Sequence, residues 1–222
     1  MNVRNMNRWW GGLAGLAAAL AISAAPNLDK LEDLAFSKFG GGVARFIGGW
    51  RHALPAASKG NDRDQLEKVN GFFNQRLRYV TDDRLWGQVD YWATLLDTAS
   101  KSAGDCEDFA IAKYVSLINA GMDESKLRLT YVLARVQVDG KSVSEPHMVL
   151  AYYPEPGAEP LILDNLNFEI KAASTRTDLS PIYSFNAAGM WLRGASQSSA
   201  DPTARISKWR DVLTRLHDEF TL

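Results

Sequence analysis

One cysteine and three histidines in 222 residues exclude several kinds of chemistry at once. A single thiol rules out a disulfide within the chain, and the two counts together rule out a zinc site of the finger or ribbon kind. Charge of one sign is also lacking. The net charge is −1 with acids and bases interspersed, so there is neither a basic stripe for nucleic acid nor a long acidic tail. No internal repeat is visible, and the length suits one compact domain able to bury a substantial core.

What is present begins with a leader. Met1 to Trp10 carries Arg4 and Arg8 and no acid, an apolar run follows from Gly11 to Ile22, and Ser23-Ala24-Ala25-Pro26 closes it. Basic, apolar and small-residue segments in that order make a secretory signal peptide, and the apolar run falls short of the ~20 residues of a membrane span. We expect a signal peptide over residues 1–25 and one domain over 26–222, periplasmic and with no stable membrane insertion after cleavage. An uncleaved anchor is the alternative. A thiol left unpaired in an oxidising compartment points to use.

Along the domain, residues 28–50 read as a helical segment interrupted at Gly40-Gly41-Gly42 and closed by Gly48-Gly49. Residues 62–79 predict a helix capped by Asp62 with Gln65, and residues 81–100 an ordered loop with a short helix. From Cys106 to Ala120 the pattern is apolar on most faces, which predicts a helix in the middle of the domain. Strands follow over 127–138, turning at Asp139-Gly140, then over 148–153 and 161–163, with one more within 181–192. A last helix starts at Asp201-Pro202. Helices followed by a meander of strands give an α+β fold.

Cys106 sits in Gly104-Asp105-Cys106-Glu107-Asp108-Phe109-Ala110, where a loop turns into that central helix. A helix start stabilises a thiolate, so Cys106 is a candidate nucleophile; a buried, inert cysteine is the other reading, and the acids around it argue against burial. Thiol chemistry also requires a base and a group to orient it. His147 opens a strand, and Asp164 follows at the end of the next, positions that antiparallel pairing can bring together. An edge histidine and a turn-forming aspartate are the plain alternatives. His52 and His217 lie in a glycine-rich region and an exposed-looking helix.

Gly-Asp-Cys-Glu-Asp-Phe-Ala at 104–110, Pro-His-Met-Val-Leu at 146–150 and Leu-Asp-Asn at 163–165 resemble the bacterial transglutaminase-like cysteine proteinases, and among them the periplasmic adhesin proteases. Val-Asp-Tyr-Trp-Ala-Thr at 89–94 and Tyr-Ser-Phe-Asn at 183–186 extend the likeness over nearly the whole domain. Leu95 is a departure, since a proline is expected after Thr94. The resemblance implies a papain/transglutaminase-like core, its central helix carrying Cys106 against an antiparallel sheet that carries His147 and Asp164. It implies Cys106 as nucleophile, His147 as general base and acid, and Asp164 as the group orienting His147. It further implies cleavage of a large surface adhesin near its N-terminus, at a paired-alanine site. Biofilm release would follow, under control of the periplasmic domain of an inner-membrane cyclic di-GMP receptor. An acyl transferase or amidase on the same core, and a non-catalytic calcium-dependent binding module, are the rival readings.

Asp105 and Glu107 flank a sulfur that must ionise. At roughly 6 Å and an effective dielectric near 40, each would disfavour the thiolate by about 1.4 kcal/mol, while the helix N-terminus returns at most ~2 kcal/mol. A hard divalent cation on those carboxylates removes the penalty, and oxygen donors favour calcium over zinc. The resemblance also implies calcium on Asp105 and Glu107, and Asp90 is a third candidate ligand. Helix N-cap and first-turn roles are the alternatives for these acids. The backbone amide of Cys106, with a side chain such as Gln88 or Trp92, is the expected oxyanion site. Trp86 is a candidate for an exposed docking patch, or for the core.

Overall fold

The computed structural model describes residues 27–195 and 197–221, so the leader expected over 1–25 lies outside the described residues. Two helices open the fold, α1 (Leu28–Phe39) and α2 (Gly41–Ser58). The break between them falls at Gly40, whose φ of 83° only glycine adopts readily, and α2 then runs straight through Gly48-Gly49. At Gly48 the absent side chain admits Glu32 of α1, to which a Cβ would approach within 2.9 Å. Gly48 therefore makes room for Glu32, and the pair does not stop the helix, contrary to the sequence expectation.

Helix α3 (Asp62–Arg76) is capped by Asn61, which accepts from the Asp64 amide at 2.9 Å. Asp62 instead holds Lys126 at 2.7 Å and the Tyr152 hydroxyl. Then come β1 (Arg78–Tyr79), α4 (Asp82–Leu85), α5 (Leu95–Lys101) and β2 (Ala103–Gly104), with β1 and β2 paired in parallel. The loop predicted over 81–100 thus contains two short helices, the second held by a capping box between Thr94 and Asp97. Helix α6 (Cys106–Asn119) is buried at every residue from Asp108 to Leu117, as its all-round apolar pattern requires.

The remaining strands are β3 (Leu127–Val138), β4 (Lys141–Tyr152), β5 (Leu161–Leu163), β6 (Lys171–Ala172), β7 (Leu179–Phe185) and β8 (Met190–Leu192). They form one antiparallel sheet in the order β6-β5-β4-β3-β7-β8, against which α6 packs. Strand β4 is longer than its apolar part. Residues 141–146 are mostly exposed, pair with the outer half of β3, and include Pro146, where β4 is not yet flanked by β5. His147 therefore lies within the strand and does not open it. Two strands, not one, occupy 179–192. Their connection is locked by Asn186, which donates to the Leu127 carbonyl at 3.1 Å and accepts from the amides of Ala188 and Gly189.

The C-terminal helix is also two pieces, α7 (Pro202–Arg205) and α8 (Ser207–Thr221), separated where Ile206 takes φ −118° and ψ 92°. Helix α8 fastens the segment before α5. Arg215 donates to the Trp92 carbonyl at 2.6 Å and pairs with Asp97, and Glu219 accepts from the Thr94 hydroxyl at 2.6 Å. The second Glu219 oxygen is buried without a hydrogen-bond partner. Burial, only partly offset by Thr94, raises this carboxyl to about 7.

A carboxyl whose pKa is raised on folding binds its proton more tightly in the native chain, so stability falls as pH rises from the ordinary 4.5 through 7. Glu219→Gln should flatten the stability profile between about pH 5 and 8 and exceed the parent by roughly 1–3 kcal/mol at the upper end. Urea unfolding across that range measures it. A profile parallel to the parent's would contradict the assignment.

Candidate active site

Cys106 is the first residue of α6, and Asp105 occupies the N-cap position before it. The Asp105 amide donates to Asp108 at 3.3 Å, and Asp108 also accepts from the Ala93 amide at 2.8 Å. Asp108 thereby ties the helix start to the segment that α8 fastens. Gly104 is needed for this, since a Cβ there would lie 2.6 Å from both the Asp108 Cβ and its carboxylate.

The thiol of Cys106 is half-buried and donates to Glu107 at 3.0 Å. Burial first, and then the Glu107 and Asp105 carboxylates, push its pKa well up, with a smaller opposing contribution from the Met148 amide. Met148 follows His147 on β4, so the sulfur lies beside the strand that carries the imidazole.

His147 and Asp164 are both buried and meet at 2.8 Å between Nε2 and Oδ1. The register explains the meeting. Leu150 pairs with Leu163, and one more step sets Asp164 against Val149, diagonal to His147. Nε2 is engaged, which leaves Nδ1 as the ring's free nitrogen. Asp164 Oδ1 also accepts from the Leu166 amide at 2.9 Å, and Oδ2 accepts from Arg176 at 2.6 Å. Burial alone would raise its pKa, but His147, the Leu166 amide and Arg176 outweigh it and hold the carboxyl at about 2.

The acids gather more densely than the sequence implied. Carboxylate oxygens of Asp82, Asp90 and Glu107 lie within 4.8 Å of one another, and so do those of Asp82, Asp105 and Asp108. Asp82 is buried, with Oδ2 on the Tyr91 amide and Oδ1 unpartnered, and Asp105 Oδ1 is likewise buried without a partner. Desolvation and mutual repulsion raise the carboxyls of Asp82, Asp105, Glu107 and Asp108, and Asp105 reaches about 9. Orphaned buried oxygens among crowded carboxylates fit a hard dication with oxygen ligands. Asp82 is the residue that sequence reasoning missed. Asp90 is present, and it also pairs with Lys208 of α8.

The other candidates differ in burial. Gln88 is exposed, and Trp92 is buried and stacked on Phe185 with ring centres 5.8 Å apart. Trp86 is half-buried against Tyr91 at 4.7 Å and forms no open patch. His52 and His217 are exposed.

Among described residues, no helix is long and apolar enough to cross a membrane. The family described as bacterial transglutaminase-like cysteine proteinase BTLCP matches residues 51–193. No curated protein sequence matches the chain. Among solved structures, LapG of Legionella pneumophila is similar in three forms. The EGTA-treated form is 39% identical over 85% of this chain and 97% of that one, with a TM-score of 0.75. The calcium-bound form is 38% identical over 85% and 98%, with a TM-score of 0.74. A third is 38% identical over 85% and 97%, with a TM-score of 0.72.

Gly104→Ala should displace Asp108 and loosen the Cys106 turn, costing roughly 1–3 kcal/mol of stability by overpacking. Chemical denaturation checks this, and an unchanged midpoint would mean that the Asp108 contacts are dispensable.

Proposed function

Because the chain belongs to the bacterial transglutaminase-like cysteine proteinase family, we propose that it is a calcium-dependent cysteine endopeptidase with Cys106, His147 and Asp164 as its reacting set. The observation that carries the reading is the buried His147–Asp164 contact at 2.8 Å, on the strand whose Met148 amide acts on the Cys106 sulfur. Cys106 attacks the scissile carbonyl, and its proton passes to His147 Nδ1. Asp164 holds the ring through Nε2 and stabilises the imidazolium. The same proton then goes to the leaving amine, and water, deprotonated by His147, releases the acyl group and restores the thiol. The Cys106 amide, free at the helix start, is the proposed donor to the oxyanion.

Asp82, Asp105, Glu107 and Asp90 would hold the calcium. When bound, it supplies positive charge that lets these acids ionise and removes their penalty on the thiolate. The all-oxygen donor set and the calcium-bound form of LapG support this.

The proposed substrate is a large surface adhesin, cut near its N-terminus at paired alanines, with biofilm release as the outcome. The proposed location is the periplasm, with the periplasmic domain of a cyclic di-GMP receptor as regulator. The motif resemblance over residues 89–94, 104–110, 146–150 and 183–186 supports these assignments, and the leader pattern over 1–25 supports the location.

EGTA should abolish cleavage of a fluorescence-quenched peptide with a central Ala-Ala bond, and calcium should restore it far better than magnesium. Cys106→Ala should reduce cleavage by at least ~10³-fold. Activity that ignores EGTA would remove calcium from the account. Amine cross-linking without cleavage would move the chain to the acyl transferases. Calcium binding at pH 7 should also release protons from the crowded carboxyls, seen as a buffer-dependent heat in titration calorimetry. Heat independent of the buffer would contradict their raised pKa values.

A further inference from the structure

Arg176 is 3% exposed and lies in the turn between β6 and β7. Nothing in its local sequence, Ala-Ser-Thr-Arg-Thr-Asp, marks it as buried. Its guanidinium forks onto Asp178, with Nε 2.9 Å from Oδ1 and Nη2 2.7 Å from Oδ2. Nη2 also donates to Asp164 Oδ2 at 2.6 Å. The turn is itself pinned, since the Arg176 amide donates to the Ala173 carbonyl at 3.0 Å and the Arg135 amide of β3 to the Asp178 carbonyl at 2.8 Å. An unbroken line of contacts therefore runs from β3 through Asp178, Arg176 and Asp164 to the imidazole of His147.

Resting on the reading of Cys106, His147 and Asp164 given above, we propose that Arg176 is a positioning residue that acts through Asp164. It fixes the carboxylate's second oxygen so that the first faces His147 Nε2. Without it, Asp164 keeps two donors on Oδ1 and none on Oδ2, and a buried carboxylate so deprived turns toward whatever donor remains. The charged and titratable groups facing Asp164 are His147 on β4, Arg176 in the turn with Asp178 behind it, and Lys113 on α6.

Lys113 is no substitute. Its ammonium lies 5.7 Å from the centre of the Phe109 ring and makes no ion pair with Asp164, and burial brings its pKa down to about 7. The guanidinium stays charged at any working pH and presents its donors in a fixed plane. Direction as well as charge is what orients a carboxylate, and only Arg176 supplies both.

The test is a double-variant cycle in calcium, read as turnover of the Ala-Ala peptide and as the rate of Cys106 alkylation by iodoacetamide. Arg176→Met should lower kcat by about 10–100-fold with KM within about twofold, and Arg176→Lys should recover part of the loss. In an Asp164→Asn background, Arg176→Met should add less than about twofold to either readout. Full multiplication of the two losses, a change in KM alone, or no loss at all would overturn the proposal. Should Arg176→Met fail to fold, Arg176→Lys enters the same cycle, because lysine cannot grip Asp178 and Asp164 together. Parent-like turnover in Asp164→Asn or Cys106→Ala would instead sink the underlying reading, whatever the Arg176 variants do.

Discussion

Negative charge crowded against a thiol is the constraint around which the site is arranged. Glu107 accepts from the sulfur, Asp105 precedes it, and Asp82 and Asp108 stand behind, all with pKa values raised chiefly by burial. Like charges in low dielectric either hold protons or gather a cation. In the first state the thiol is a donor to Glu107 and a poor nucleophile. In the second, proposed above, Asp82, Asp105 and Glu107 would be ligands, and the helix N-terminus would again be the dominant field at the sulfur.

The fold serves this arrangement from two sides. From one, α8 grips the segment before α5 through Arg215 and Glu219, and Asp108 grips it from the start of α6, so Ala93, Thr94 and the Cys106 turn are held as a unit. From the other, antiparallel pairing of β4 with β5 brings the imidazole to its carboxylate, and Arg176 secures the carboxylate from behind. The two halves meet at the Met148 amide and the Cys106 sulfur. Each half rests on backbone placed by regular structure, which suits a reaction sensitive to small displacements.

Much of this was legible in the sequence where local chemistry carries it. A lone cysteine amid acids at the start of an apolar helix marks itself, and two strands with His147 and Asp164 near matching positions admit their contact. The turn at Asp139-Gly140 and the break at Gly40 follow from dihedral preference. What escaped depends on partners distant in sequence. Gly48-Gly49 looks like a helix stop until Glu32 is seen beside it. Asp82 looks like one of several loop acids until the fold sets it against Glu107 and Asp105. Arg176 looks like a solvated turn residue until Asp164 and Asp178 close around it. The polar outer half of β4 lacks apolar alternation because it is exposed, so only the buried half could be read as strand.

The central claim is that a cation on the acids makes the sulfur an anion. Its most direct measure is the pKa of Cys106, taken from the pH dependence of iodoacetamide alkylation with calcium and with EGTA. The account requires the thiol to titrate below the ordinary cysteine value of about 8.5 with calcium and above it without. Coincident titrations in the two conditions would contradict it.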